Sequence, residues 1–177
     1  MKIEAIKNRM SARKRGADMT QALLYAAFAI VVLISVLAMY QVVTLNSNKT
    51  TASRTISTAA QEARTLFRNS VDFEDLDTAM LVQAGAVPTD AIGGTEAAPT
   101  ITLPYQGTVA FDDAPNGKFQ ATVALSGTRG GRALCTFLSS GVGSDVITGP
   151  MGAEYSGTLG ENACSGANPG FTVVYER

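Results

Sequence analysis

The sequence predicts an α+β protein in which a long N-terminal helix, transmembrane in its first half, packs on a small antiparallel sheet. Three observations lead to this prediction: an uncharged apolar run, an alanine-rich helical stripe behind it, and short alternating segments between turns. Of the 17 glycines, 16 follow Phe73, so the turns are concentrated in the second part of the chain. The first two observations indicate one long helix, and the third indicates a sheet.

The apolar run Ala22–Val43 has the length of a membrane-spanning helix. No charged side chain lies between Asp18 and Lys49, and Ser35 and Gln41 are the only interruptions of the run. A helix of this length measures about 33 Å, which matches the roughly 30 Å hydrocarbon core of a bilayer. A buried helix of a soluble protein is the alternative, but such helices seldom run this long without a charge. We therefore expect one membrane span.

Charge is distributed unevenly along the chain. Residues 1–16 carry six basic residues against the single acid Glu4, whereas the rest has 8 basic and 14 acidic residues. Because cations mark the cytoplasmic flank of a span, we expect the chain after Val43 to lie outside. A secretory signal peptide is an alternative, but the apolar run continues past its weak cleavage site at Val36-Leu37-Ala38. The acidic body argues against general affinity for nucleic acid.

The helical pattern continues beyond the span to about Asn69. This segment contains no glycine or proline, and apolar residues recur with helical spacing on one face: Ile56, Ala59, Ala60, Ala63, Leu66 and Phe67. The opposite face carries Arg54, Gln61, Arg64 and Arg68. We expect this amphipathic half to pack its stripe on the following domain. Thr44–Thr51 has poor helix propensity, so bending or fraying is expected there.

Residues 71–177 are expected to form a globular α+β head. A short helix is predicted over 73–84 with Phe73, Leu76, Ala79 and Met80 on one face, and a loop over 89–100. Alternating residues predict four strands, and residues 112–117 predict a hairpin turn between the second and third: Thr100–Pro104, Gly107–Phe111, Lys118–Leu125 and Phe171–Tyr175. Ala133–Ser140 is predicted to be a short amphipathic helix, followed by a glycine-rich stretch.

The two cysteines, Cys135 and Cys164, lie in the part of the chain expected outside the membrane. Oxidising conditions there allow a disulfide, and one intramolecular pairing exists. Two free thiols are the alternative. A zinc site is not expected, because the chain has no histidine and no further cysteine.

No catalytic constellation is visible in the sequence. Histidine is absent, and the acidic pair Asp112-Asp113 lies in an expected turn, where solvated carboxylates are common. The segment Gly141-Val142-Gly143 lacks the lysine and the strand–loop–helix context of a phosphate-binding loop. We therefore expect a protein that is not an enzyme, with no metal and no cofactor.

The order of parts resembles the type IV pilins, in particular the type IVb group with longer leaders and larger domains. The sharpest match is Arg13-Lys14-Arg15-Gly16 followed by Ala17-Asp18-Met19-Thr20-Gln21 and the Ala22–Val43 anchor. Leu81–Pro88 looks like the helix-to-sheet connection of that group, and Cys135 and Cys164 look like its terminal disulfide. The architecture matches over nearly the whole chain, whereas the sharp motif covers about ten residues around Gly16.

The resemblance implies that residues 1–16 are a leader, which a prepilin peptidase removes by cutting between Gly16 and Ala17 in the cytoplasm. It implies methylation of the new amino group of Ala17 and an inner-membrane precursor. The pilus assembly machinery would then stack copies of the chain into a cell-surface filament through the long N-terminal helix. Its transmembrane and assembly half would cover residues 17–43, and its amphipathic half residues 44–70. A major pilin is preferred, because the head is large and contains the cysteine pair. The alternatives are a minor pilin, a secretion-system pseudopilin or a non-polymerising anchored adhesion ectodomain.

Two residues depart from the pilin pattern. The family usually has a large apolar first mature residue and a glutamate at the fifth position, where this chain has Ala17 and Gln21. In relatives that carboxylate is thought to pair with the N-terminal amine of a neighbouring subunit, and Gln21 cannot neutralise the amine. Asp18 is the candidate substitute, because burying an unpaired ammonium costs several kcal/mol. Stabilisation of the helix dipole by Asp18 is the alternative role.

Overall fold

The structure, a computed structural model, describes residues 2–96, 98–140, 147, 153–156 and 163–176, with backbone alone for residues 2–18 and 153–156. The chain divides into two compact units, Met1–Thr44 and Leu45–Arg177. The fold is α+β, as predicted: a long apolar N-terminal helix, whose second part packs on an antiparallel sheet.

Helix α1 extends from Lys2 to Leu66 and contributes to both units. In the second unit its predicted stripe is confirmed, with one addition and one exception: Ala52, Ile56, Ala59, Ala60, Ala63 and Phe67 are buried. The exception is Leu66, the last residue of α1, which is 43% exposed. These side chains belong to the same cluster as the buried residues of the strands, so the helix and the sheet share one continuous core.

The fraying expected over Thr44–Thr51 is wrong, because these residues are helical. Their low propensity costs only a few tenths of a kcal/mol per residue, and helix on both sides removes the cost of nucleation. The next turn, beginning at Ala52, is already anchored in the core. Tertiary packing and helix continuity therefore outweigh local preference here.

The described strands form one six-stranded antiparallel sheet with the order β1-β2-β3-β4-β6-β5. Its strands are β1 (Ile92–Thr95), β2 (Ala98–Leu103), β3 (Gly107–Ala114), β4 (Lys118–Ala124), β5 (Ala153–Ser156) and β6 (Gly170–Tyr175). The four predicted strands are β2, β3, β4 and β6. The C-terminal strand β6 lies between β4 and β5, with Ala121 opposite Val173 and Tyr155 opposite Val173 on its other side.

The hairpin between β3 and β4 is tighter than predicted. Strand β3 continues through Asp112 and Asp113 to Ala114, which pairs with Lys118, so the two acids are exposed strand residues and not turn residues. The turn itself contains Asn116 at φ 68° and Gly117 at φ 67°. Asparagine and glycine tolerate this left-handed conformation better than other residues, which explains why the turn is placed there.

Two predicted elements have different boundaries in the structure. Helix α2 covers Thr78–Gln83 and not 73–84, because the Asp77 carboxylate accepts a hydrogen bond from Met80 N at 2.7 Å and caps the helix. Phe73 and Leu76 are buried in the preceding turn, whereas Met80 is exposed. Helix α3 covers Arg129–Leu138, beginning earlier than predicted because Thr128 Oγ1 caps Gly131 N.

The prediction of a loop over residues 89–100 is wrong, because these residues form a short 3-10 helix (Thr89–Ala91), strand β1 and the start of β2. Its glycines suit a strand that lies close to its neighbour: a Cβ on Gly93 would lie 2.5 Å from Thr102 Cγ2. Strand β5, within the glycine-rich stretch, was not predicted either.

A disulfide joins Cys135 of α3 to Cys164, which precedes β6, and both residues are buried. The predicted pairing is confirmed, and the alternative of two free thiols is excluded. With a sequence separation of 29 residues, closing this loop stabilises the fold by about 3.5–4 kcal/mol in the chain-entropy model.

Packing of the alanine stripe can be tested with Ala59→Leu. Ala59 is fully buried, so three added carbons overpack the interface and should lower the free energy of unfolding by about 1–3 kcal/mol. The neighbouring exposed Thr58 provides the control, because Thr58→Leu should change stability by less than about 0.5 kcal/mol. Both values come from chemical denaturation in detergent followed by circular dichroism. Equal losses in the two variants would contradict the packing described above.

Candidate functional site: the exposed apolar helix

Among the described residues, the most prominent exposed apolar surface is the α1 segment from Met19 to Val43. All of its side chains are exposed, and its large apolar ones are between 44% and 74% exposed. Burying each such side chain is worth about 1.5–3 kcal/mol. Monomeric soluble proteins rarely leave an apolar patch above a few hundred Å² in contact with water. This segment therefore requires an apolar environment outside the chain itself.

A bilayer is one environment that fits. Among the residues described with their side chains, one helix is long and apolar enough to cross a membrane or to act as a signal sequence. It is the Met19–Leu66 part of α1. A helix satisfies its own backbone hydrogen bonds, which hydrocarbon cannot do for it. The hydroxyl of Ser35 likewise donates to the carbonyl oxygen of Val31 at 2.8 Å. This polar interruption of the run is thus satisfied within the helix.

Of the predicted assembly residues, Gln21 is described with its side chain. It is exposed on α1, and its Nε2 donates to the hydroxyl oxygen of Tyr25, one turn further on, at 3.4 Å. The predicted cleavage position at Gly16 and Ala17 lies in α1, where the backbone alone is described. The side chain of Asp18 also lies outside the described residues.

The sequence pattern places Arg64 on the face of the helix opposite the apolar stripe, but it does not predict the contacts that this side chain makes. Its guanidinium is half-buried, 5.4 Å from the ring of Tyr175, and its Nε donates to the carbonyl oxygen of Glu176 at 3.2 Å. Burial lowers the pKa of Arg64, and Tyr175 opposes that shift. The side chain thereby ties α1 to the C-terminal strand. No local pattern could reveal this contact, because the partners are more than a hundred residues apart in sequence.

The Glu176 side chain extends this contact on the protein surface. It accepts a hydrogen bond from Lys118 Nζ at 2.9 Å, and this bond lowers the pKa of the exposed carboxyl. Because the pair is exposed, it adds little to stability. Because Glu176 follows the end of β6 and Lys118 begins β4, this ion pair adds one cross-strand contact beyond the last backbone pair of β4 and β6.

The described residues contain no cluster of three or more His, Cys, Asp or Glu side chains that could hold a metal ion. A shallow groove of about 430 Å³ lies beside β1, and its lining includes Val82, Gln83, Ile92, Glu96 and Pro99. Glu96 is the one carboxylate among the described lining residues, and Thr95 is the one hydroxyl. The exposed apolar helix is therefore the better candidate for the functional surface.

Comparisons of the chain with protein-family models, with curated proteins and with solved structures find no match. The description of the protein therefore rests on its own geometry. A long apolar N-terminal helix packs on an antiparallel sheet, and a disulfide closes the C-terminal part of the head. This architecture is pilin-like.

Proposed function

We propose that this chain is the structural subunit of a type IV pilus, most simply its major pilin. It would be stored in the inner membrane through Ala22–Val43 and polymerise through the same helix into an extracellular filament. The observation that carries the proposal is the division of α1. One face of its second part is buried in the core of the head, whereas Met19–Val43 is exposed on all sides.

A helix bundle and a bilayer offer this surface nearly the same environment. Lipid tails are as apolar as leucine side chains, so moving the helix from lipid into a core of identical helices changes little apolar exposure. Identical subunits joined through two different surfaces form an open helical filament when the rotation between them does not close a ring. One apolar helix can thus serve first as an anchor and then as the filament core.

Processing would separate these two states. The six basic residues of the leader would hold the Gly16–Ala17 bond at the cytoplasmic membrane surface. Glycine has no side chain to obstruct the cleft of a prepilin peptidase. Cleavage would give the helix a new N-terminal amine, methylated at Ala17, at the edge of the apolar segment.

That amine needs a negative partner once it is buried among other subunits. Gln21 can accept a hydrogen bond, but it cannot neutralise an ammonium, and its amide already donates to Tyr25. We assign the role of counter-ion to Asp18, the only acid between residue 5 and residue 61. An unpaired buried ammonium would cost several kcal/mol per subunit, repeated at every position of the filament.

A second candidate is a membrane-anchored ectodomain that never polymerises. The same spanning helix would serve it equally well as a permanent anchor. Such a protein would retain residues 1–16, since nothing would require their removal. Processing at Gly16 therefore distinguishes the two functions.

For processing, we expect protein sheared from the cell surface to begin at Ala17. Methylation should make it one CH2 heavier, and the disulfide two hydrogens lighter, than the reduced, unmodified chain. Gly16→Val should block cleavage and leave a chain that begins at Met1 in the membrane. Ser11→Ala, a leader change away from the bond, should be processed normally. Intact-mass measurement and N-terminal sequencing read out all three proteins. Wild-type protein that begins at Met1 and is confined to membranes would favour the anchored ectodomain.

For assembly, we expect Asp18→Asn to abolish most surface filament while leaving cleavage and membrane insertion unchanged. The neutral amide removes the proposed partner of the Ala17 amine, whereas Asp18→Glu keeps a carboxylate and should assemble. The measurement is the amount of mature subunit in the sheared fraction relative to the membrane fraction. The proposed role of Asp18 would be wrong if Asp18→Asn assembled as well as the wild type.

A further inference from the structure

Lys49 is the first charged residue after the apolar run, and it makes a cation–π contact. Its ammonium lies 4.9 Å from the ring centre of Phe137, near the end of α3. Both side chains are half-buried, and both belong to the second compact unit. A lysine over an aromatic ring combines a charge with an apolar surface at one place.

The two segments that meet at this contact carry no acidic residue. Residues 44–61 carry only Lys49 and Arg54 as charged side chains, and residues 119–140 carry only Arg129 and Arg132. The rest of the second unit is different, because residues 45–177 contain 8 basic and 13 acidic residues in total. The Lys49–Phe137 surface, defined by Lys49 and α3, is therefore positive within an acidic head.

The chain also limits how far this surface can be from the membrane. Lys49 follows Val43, the last residue of the apolar run, by six positions. Six residues rise about 9 Å as a helix. Even fully extended they would reach only about 22 Å. The headgroup layer on each side of a bilayer is about 5–8 Å thick.

We propose that the Lys49–Phe137 surface binds the phosphate groups of anionic phospholipids while the subunit is stored in the membrane. This inference rests on the proposed membrane storage and adds a specific lipid partner for the head. The ammonium would pair with a lipid phosphate, and the ring would lie at the interface, where lysine and aromatic side chains are both favoured. The contact would orient the head on the membrane and would be released when the subunit is extracted.

One basic residue near an anionic bilayer surface contributes about 1 kcal/mol, a roughly five-fold change in the contact equilibrium. The competing explanation is that Lys49 only covers the ring of Phe137. In that case the lipid composition would have no effect on the environment of Phe137. The two explanations therefore differ in a measurable property.

The chain has no tryptophan, so Phe137→Trp places a unique fluorophore on this surface and retains an aromatic ring for Lys49. Full-length protein would be inserted into nanodiscs of phosphatidylcholine alone or with phosphatidylglycerol, each containing a lipid with a nitroxide on its headgroup. We expect stronger quenching of the tryptophan in the anionic discs. In the same background, Lys49→Gln should weaken the contact about five-fold and remove the difference between the discs.

Three further variants sharpen the test. Lys49→Arg should retain the effect of anionic lipid, and Lys49→Glu should reverse it. Arg54→Gln is the matched control, because Arg54 is an exposed cation on the same helix but farther along it, and it should behave like the unchanged background. Quenching that is equal in both discs and insensitive to Lys49→Gln and Lys49→Glu would overturn the inference while leaving the pilin proposal intact. Failure of the chain to enter nanodiscs would overturn the inference together with the proposed membrane storage.

Discussion

The rest of the molecule depends on one constraint, namely that the apolar surface of α1 from Met19 to Val43 needs cover that the described part of the chain does not provide. No charge interrupts it, and its side chains are exposed throughout. A helix is the form in which such a segment can exist in hydrocarbon, because every backbone group finds its partner within the segment. A bilayer and a bundle of identical helices both satisfy the constraint, and the proposed function uses them in succession.

In the proposed function the head meets the opposite requirement, because it would have to keep its structure while the surroundings of the apolar segment change. The head contacts α1 in two ways: the alanine stripe is buried in the core, and the guanidinium of Arg64 lies 5.4 Å from the ring of Tyr175. The ring of Tyr175 in turn stacks on Phe119 of β4 at 4.8 Å. The Cys135–Cys164 bond holds α3 to the chain that leads into β6. Since β6 carries Tyr175, the disulfide and the helix contact stabilise the same part of the head.

Periodic features of the fold could be predicted from the sequence, and contacts between distant residues could not. The helical stripe and the alternating strands β2, β3, β4 and β6 are local patterns, so they could be predicted from the spacing of apolar residues in the sequence. Strand β1 was mistaken for a loop because Gly93 and Gly94 resemble turn residues, yet they permit close strand pairing. The same limit applies to the candidate site. The exposed span followed from composition, but Arg64 on Tyr175 and Lys49 on Phe137 join residues far apart in the chain.

The most direct test of the proposed function is whether the apolar segment is covered by copies of itself once it has left the membrane. Both native cysteines are in the disulfide, so Leu33→Cys introduces a unique thiol at the middle of the segment. Its reaction with a water-soluble maleimide would be measured in sheared, membrane-free material and again after denaturation. We expect protection in the native material and full labelling after denaturation. Equally fast labelling in both states would contradict a filament core built from α1.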